Sequence, residues 1–497
     1  MRIILIPAMY LLMITLAAAQ PGNPAKAKEW LQRSMQAMGS DAWKNIQSFG
    51  YSGLGYSLAV EQSERSEGPY LPMPLNRTVL KDLVKKQAHF FENAAFYNTG
   101  NRTTYVIDGP YIAFKARDGQ LFPWMLENMT ADELTLAPEF ILQDALQAGD
   151  LYYQKDTLLQ QVSNVILVFK LNKYPVRLFI SKETDFLTAV EITKPYSSGY
   201  LNIWGDTKKT ILYSFWNLLQ KDLHYPLQSD TYVNGWYYTS FLINKWKINA
   251  AVGGDSLRIP DSLRTVIPLQ GKQILGDYAK GLDDDSKELA PGVWYLPGPC
   301  NATVVDQPDG LVVIDAGFSS EYGELLLKKI SSLYPGKKIK AIVSTSDAWL
   351  HIGGLRPFAA QPGITIYHHQ RNASILNKLL TASYITSPDA LAKVKKSSYQ
   401  MKAVDDSVAL GTGANKIVLY TFKTESGERM MMVWFPGHQL VYASDLFQPK
   451  GADGQYWLPH YSWEVYTAIK KRKIAVTNFY GMHTGLVSFA ELEKDYK

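Results

Sequence analysis

Few side chains in this chain can carry chemistry: its 497 residues include eight histidines and one cysteine. The run that invites attention is Ser346-Asp347-Ala348-Trp349-Leu350-His351, entered through Ile342, Val343 and Thr345 and left through Ile352-Gly353-Gly354-Leu355. Imidazole and carboxylate groups bind divalent cations, whereas a neutral serine hydroxyl is a poor ligand for zinc and alanine is none. Cys300, just before Asn301, has no basic residue or histidine close in sequence to lower its pKa, so a small buried thiol is expected rather than a nucleophile. His368, His369, His438 and His460 fall on predicted loops or strand ends and are expected at the surface.

These residues need a scaffold, and the chain from Gly292 onward predicts one. Three β runs, Val293-Trp294-Tyr295-Leu296, Asn301 to Val305 and Gly310 to Ile314, end in Asp315-Ala316-Gly317. A helix over Ser320 to Leu333 and a strand over Lys340 to Ser344 then deliver the chain to the run above. Thr365 to His369, Ile417 to Phe422, Met430 to Phe435 and Gln439 to Ser444 read as further strands, followed by Asp445 and, near the end, Gly481-Met482-His483-Thr484-Gly485.

This order of landmarks resembles the metallo-β-lactamase superfamily, whose metal-binding turn reads T-H-x-H-x-D-H-x-G-G. The resemblance implies two β-sheets packed face to face with helices on both outer sides. Thr345, His351, Gly353 and Gly354 match the turn, while Ser346 and Ala348 stand where two histidines belong and Leu350 where the aspartate belongs. It also implies that one metal would take the positions of Ser346, Ala348 and Ser426, none of which is a competent ligand, so that half of the centre is expected to be empty. The other metal would take Leu350, His351, Asp445 and His483. Leucine removes one ligand, but two imidazoles and one carboxylate remain a competent set for a single divalent ion, zinc first; Asp347 could replace Leu350 only through a different turn. The same trio reads equally as a hydrogen-bonded network, and Asp315 as a turn residue accepting backbone N–H groups.

Two functions follow from different classes. One is a non-hydrolytic binding protein on a degenerate scaffold. The other is a hydrolase with one metal on His351, Asp445 and His483, the ion making hydroxide available near neutral pH, with Tyr461 or His460 as donor to the leaving group.

Ahead of this region, Asn23-Pro24 opens a helical pattern with Trp30, Leu31, Met35 and Met38 on one face and Gly39 as a stop. From Ser48 to Asn249 the pattern is β, including a hairpin of Thr104 to Ile107 and Tyr111 to Phe114 across Asp108-Gly109, and later strands at Asn164–Leu171, Val176–Ser181, Leu187–Thr193 and Phe241–Asn249. One helix followed by a long meander, with Tyr225-Pro226 late and Ile248-Asn249 at its end, is similar to the curved sheets of periplasmic lipoprotein-carrier domains. The concave face of such a sheet is covered by its own helix and side chains or by an apolar ligand. The whole chain is therefore expected to be an α+β protein of two domains, 20–252 and 288–497, joined by a linker at 253–287 that carries Gly-Gly, Pro260, Pro268 and Asp283-Asp284-Asp285.

Met1 to Gln20, with Arg2, an apolar run and Ala17-Ala18-Ala19, predicts a cleaved leader ending at Ala19 and hence an exported protein, periplasmic or secreted. No later stretch approaches the roughly 20 apolar residues of a spanning helix. A net charge of +5 with basic residues spread along the chain argues against a nucleic-acid partner, leaving an unidentified small-molecule or apolar ligand.

Overall fold

The computed structural model describes residues 22–496 except 61, 62, 64, 97, 98, 126–128, 197–203, 255, 452 and 453. The leader expected at 1–19 lies outside these. The opening helix, Pro24–Ala37, starts where Asn23 Oδ1 accepts the N–H of Lys26 at 3.0 Å. It stops at Gly39, whose φ of 86° is open to glycine at little cost.

The β region forms one antiparallel sheet of thirteen strands. Its first strand, Ser48–Leu58, lies in the middle, paired with Pro72–Asp82 on one side and the last strand, Trp236–Ile248, on the other. The edges are Leu121–Pro123 and Tyr152–Leu159. The expected hairpin is present with its turn one residue later: Asp108 pairs with Tyr111, leaving Gly109-Pro110 as the loop. Side chains from Tyr51, Arg77, Tyr213, Tyr225 and Phe241, on five adjacent strands, reach the same segment around Ala137 and Pro138, so the sheet wraps around it. The concave face is filled from within by Trp30 and Leu31 of the first helix and by Ile141, Leu142 and Ala145 of the helix Pro138–Gln147.

The segment read as a linker is largely helical. Asp261–Val266 and Gln270–Asp285 are helices, with Pro260 capping the first and Pro268 opening a 3-10 turn between them. Prolines that read as breaks mark helix starts instead, because the first turn has no use for the missing N–H. Ile259 and Ile267 pack on Val106 and Ala113 of the sheet, while Leu282 joins the core that follows.

The C-terminal part is a four-layer sandwich. Seven strands from Lys287–Ala290 to Gln400–Val404 face six from Ser407–Leu410 to Val487–Ser488. The period of two does the sorting: Val304 and Val313 point to the helix Ser320–Leu333 through Tyr322, Leu326 and Ile330. Their neighbours Val305 and Val312 point to Leu419, Val433 and Tyr442 of the other sheet. Met432, Val441 and Phe479 then meet the outer helices Pro459–Lys471 and Phe489–Tyr496 through Val465, Ile469 and Leu492. No helix among the described residues is long and apolar enough to cross a membrane.

Candidate metal centre

Parallel strands Gly310–Ile314 and Ile339–Ser344 end side by side, with Ile314 opposite Val343. Just beyond, Asp315 takes a left-handed φ of 57° and turns its carboxylate onto Thr345, accepting the backbone N–H at 2.8 Å and the hydroxyl at 2.6 Å. Tyr442 donates to the same carboxylate at 2.6 Å, and Thr345 Oγ1 meets Ser444 Oγ at 2.7 Å, which ties the turn to the opposite sheet. Burial pushes the Asp315 carboxyl up to about 6 against these hydrogen bonds.

The turn closes through Gly353 and Gly354. A Cβ on Gly353 would lie 2.0 Å from the Phe318 carbonyl oxygen, and one on Gly354 only 1.9 Å from that of Ala316, so both positions require glycine for close backbone approach. Between Thr345 and these glycines, Trp349–Ile352 forms one helical turn that is buried throughout. Its Trp349 ring stacks on Trp204 with centroids 4.8 Å apart and meets Trp236 edge-on at 5.5 Å, both from the N-terminal half. Asp347 points the same way: Arg429 approaches it at 3.5 Å while also pairing with Glu67 at 2.7 Å. Burial raises the Asp347 carboxyl to about 6. Asp347 therefore belongs to the contact between the two halves and does not stand in for Leu350.

His351 faces the opposite way. Its Nδ1 lies 3.0 Å from Ser346 Oγ and 3.8 Å from Asp445 Oδ2. Asp445 sits in the turn Ser444–Leu446, where Ser444 has a φ of 55° and its carbonyl accepts the N–H of Met482, drawing in the loop that carries His483. His483 Nδ1 donates to the Pro299 carbonyl at 2.8 Å, and its Nε2 lies 3.0 Å from Asp445 Oδ1. Gln448 Nε2 donates to the same carboxylate oxygen at 2.8 Å.

Burial pushes His351 down to about 4, so its ring is neutral. Burial also opposes ionisation of Asp445 and His483, but the imidazoles hold the Asp445 carboxyl low and its charge holds His483 high. Asp445 and His483 thus favour each other's charged forms across 3.0 Å.

Sequence reading missed one member of this group. Cys300 is buried as expected, with its thiol donating to the Leu350 carbonyl at 3.4 Å, yet Cys300, His351 and His483 each place a donor atom within 4.8 Å of the other two. The loop is carried there by Asn301, whose backbone and side-chain N–H groups bond the carbonyls of Met482 and Gly481. No local pattern announces this, because the histidines come from turns far along the chain. Burial first, then the charges of Asp445 and Asp315, push the thiol up and keep it protonated without a cation.

The fit to metal differs between the two halves of the centre. Ser346 is spent on His351, Ala348 has no donor, and Ser426 is held by its backbone N–H on Glu464 at 3.0 Å. These residues do not fit an ion. Cys300, His351 and His483 are zinc-compatible donors within 4.8 Å of one another, and Asp445 stands beside them, 3.0 Å from His483 and 3.8 Å from His351. Tetrahedral ligands about 2.0–2.3 Å from an ion stand roughly 3.3–3.8 Å apart, so drawing the cysteine and histidines together requires shifts of about an ångström.

Other candidates lie elsewhere. His460 Nε2 meets Glu464 Oε1 at 3.1 Å, the carboxylate that also organises Thr424, Ser426 and Gly427. His438 bonds Asn415 at 2.7 Å. His368 and His369, expected at the surface, are buried: His368 Nδ1 bonds the His369 carbonyl, and His369 Nδ1 accepts the N–H of Arg371. Both lie at the end of an interior strand, where the sheet ends under a helix.

Residues 295–477 match the model of the metallo-beta-lactamase superfamily. Among solved structures, the chain is similar to the inverting sec-alkylsulfatase Pisa1 from a Pseudomonas species at 13% identity and a TM-score of 0.32, over 45% of this chain and 42% of that one. It is similar to the metallo-beta-lactamase FIM-1 from Pseudomonas aeruginosa in its mono-zinc form, at 14% identity and TM-score 0.31, over 42% of this chain and 91% of that one. A metallo-beta-lactamase from Pontibacter korlensis gives 16% identity and TM-score 0.32, over 42% and 95% of the two chains. The chain thus spans less than half of the alkylsulfatase. No curated protein sequence matches it. The C-terminal part of the protein is metallo-beta-lactamase-like, the superfamily's model matching over residues 295–477.

Proposed function

We propose that this protein is an exported, non-hydrolytic member of the superfamily. In this reading its centre has lost one metal position and holds a single zinc ion on Cys300, His351, Asp445 and His483. The observation that carries the reading is the convergence of Cys300 on the two histidines beside Asp445, while Ser346 Oγ meets His351 Nδ1 and Ser426 offers only a neutral hydroxyl. With four protein donors, Asp445 completing the three that lie within 4.8 Å of one another, the ion cross-links four segments of the chain and leaves no open position for a substrate, as in structural zinc sites. His483 is oriented for this by its Nδ1–H on the Pro299 carbonyl, which leaves Nε2 for the ion, and Gln448 fixes the carboxylate. The division of the chain near Asp285 belongs to the same proposal. So does an apolar or other small ligand, for which the 260 Å³ cavity beside Met35, Met38, Trp43 and Leu142 offers space.

A second reading has its own support: His483 is only partly buried, so the centre reaches solvent on that side. A single ion on His351, Asp445 and His483 alone would keep an open position and serve a hydrolase. Metal analysis of protein purified without chelators decides, using wild type, Cys300→Ala and His483→Ala. One equivalent of zinc, lost in both variants, with no hydrolysis of β-lactam or sulfate-ester substrates, is the expected result. One equivalent retained in Cys300→Ala with measurable hydrolysis overturns the non-hydrolytic reading, and metal-free wild type reduces the group to a hydrogen-bonded remnant.

A further inference from the structure

Away from the metal centre, the concave face of the N-terminal sheet holds a cavity of 160 Å³ with a charged wall. Arg77 Nε donates to Glu92 Oε1 at 2.6 Å, and Lys209 Nζ donates to the Met129 carbonyl at 2.8 Å. Glu133 stands between the two cations, one oxygen 3.6 Å from Arg77 Nη1 and the other 3.6 Å from Lys209 Nζ. It is attracted to both and hydrogen-bonded to neither. Other buried pairs on this face close to contact, Lys81 with Glu139 at 2.7 Å and Lys194 with Asp132 at 2.8 Å. The Arg77, Glu133 and Lys209 group instead stands open around a void.

Such an arrangement leaves room for a ligand, because Arg77 and Lys209 are buried charges and Glu133 stands 3.6 Å from each, beyond hydrogen-bond reach. Glu92, Arg77, Glu133 and Lys209 together sum to zero charge. A net anion or cation placed among them would therefore leave a buried charge uncompensated, whereas a neutral molecule bearing both signs would not. Thr231 and Thr239 add hydroxyls to the same wall. By comparison with a cavity of about 150 Å³ that takes benzene, the space suits roughly six to ten non-hydrogen atoms.

We propose that this cavity binds a small zwitterion of the α-amino acid class, its carboxylate received by Arg77 and Lys209 and its ammonium by Glu133. The site is independent of the metal centre.

Calorimetric titration of the full-length protein with L-alanine, L-leucine, L-glutamine, L-glutamate and L-lysine tests this. At least one of the three neutral amino acids should bind with a Kd below about 1 mM. Its N-acetyl and methyl-ester forms should bind about tenfold or more weakly, as loss of a charged hydrogen-bond partner requires. Glu133→Gln should weaken binding similarly. Ala94→Leu should do the same by filling the void without touching any charge, and it keeps the test decisive if the first variant fails to fold. Absence of binding by all five probes to wild type, equal binding of the blocked forms, or binding unchanged in both variants overturns the proposal.

Discussion

Asp315 should leave a pH signature in the stability of its domain. Its carboxyl is pushed up to about 6 from an ordinary 3.8, by burial first and by the charge of Asp445 in addition, with the hydrogen bonds from Thr345 and Tyr442 pulling the other way. The unfolded chain releases this proton near 3.8 and the folded chain near 6. Between these values the folded state binds more protons, so stability falls as the pH rises. A shift of about two pH units at about 1.4 kcal/mol each amounts to about 3 kcal/mol, absent below the unfolded value and complete above the folded one. Asp315→Asn keeps the shape and cannot ionise. Urea unfolding followed by tryptophan fluorescence, in wild type and variant from about pH 4 to about pH 7, should show the stability of wild type minus variant dropping by about 3 kcal/mol toward neutral pH. Groups that titrate alike in both proteins cancel in the difference. A difference that does not change with pH refutes the reasoning.

Trp349→Ala should cost about 3–5 kcal/mol, because the ring is buried against Trp204 and Trp236 and its loss leaves a cavity between the two halves; a change below about 1 kcal/mol in urea unfolding contradicts this. Gly354→Ala should fail to give soluble, folded protein, since its Cβ would stand 1.9 Å from the Ala316 carbonyl oxygen, and a normal yield with a native circular dichroism spectrum counts against the turn as described. Lys81→Met alone should destabilise by about 3–5 kcal/mol by stranding the buried Glu139, whereas Lys81→Met combined with Glu139→Leu should recover most of the loss, as a double-mutant cycle will report. Cys300 should resist a thiol reagent in native protein and react fully in denaturant, given its 3% exposure.

Much of the scaffold was legible from local pattern. The helix Ser320–Leu333 and the strand Thr365–His369 coincide with their expected spans, because amphipathic periodicity and alternation report which face is buried. The strand Asn478–Tyr480 and the helix Pro459–Lys471 were not anticipated, the first being three residues long and the second beginning inside what read as a loop. The helices within 253–287 were not anticipated, because prolines that open helices carry the same letters as prolines that break them.

What the sequence determined by itself at the centre was a set of losses: Ser346 offers zinc only a poor neutral hydroxyl, Ala348 offers nothing, and no tertiary contact restores a donor to an alanine. Which groups remain together was decided only in three dimensions. Cys300 meets His351 and His483 because Asn301 bonds the loop around Met482, and Asp347 leaves the centre because Arg429 and Glu67 hold it at the junction with the N-terminal half. Those partners lie tens to hundreds of residues away, and proximity between distant segments is set by how sheets pack and turns close, which no short window of sequence contains.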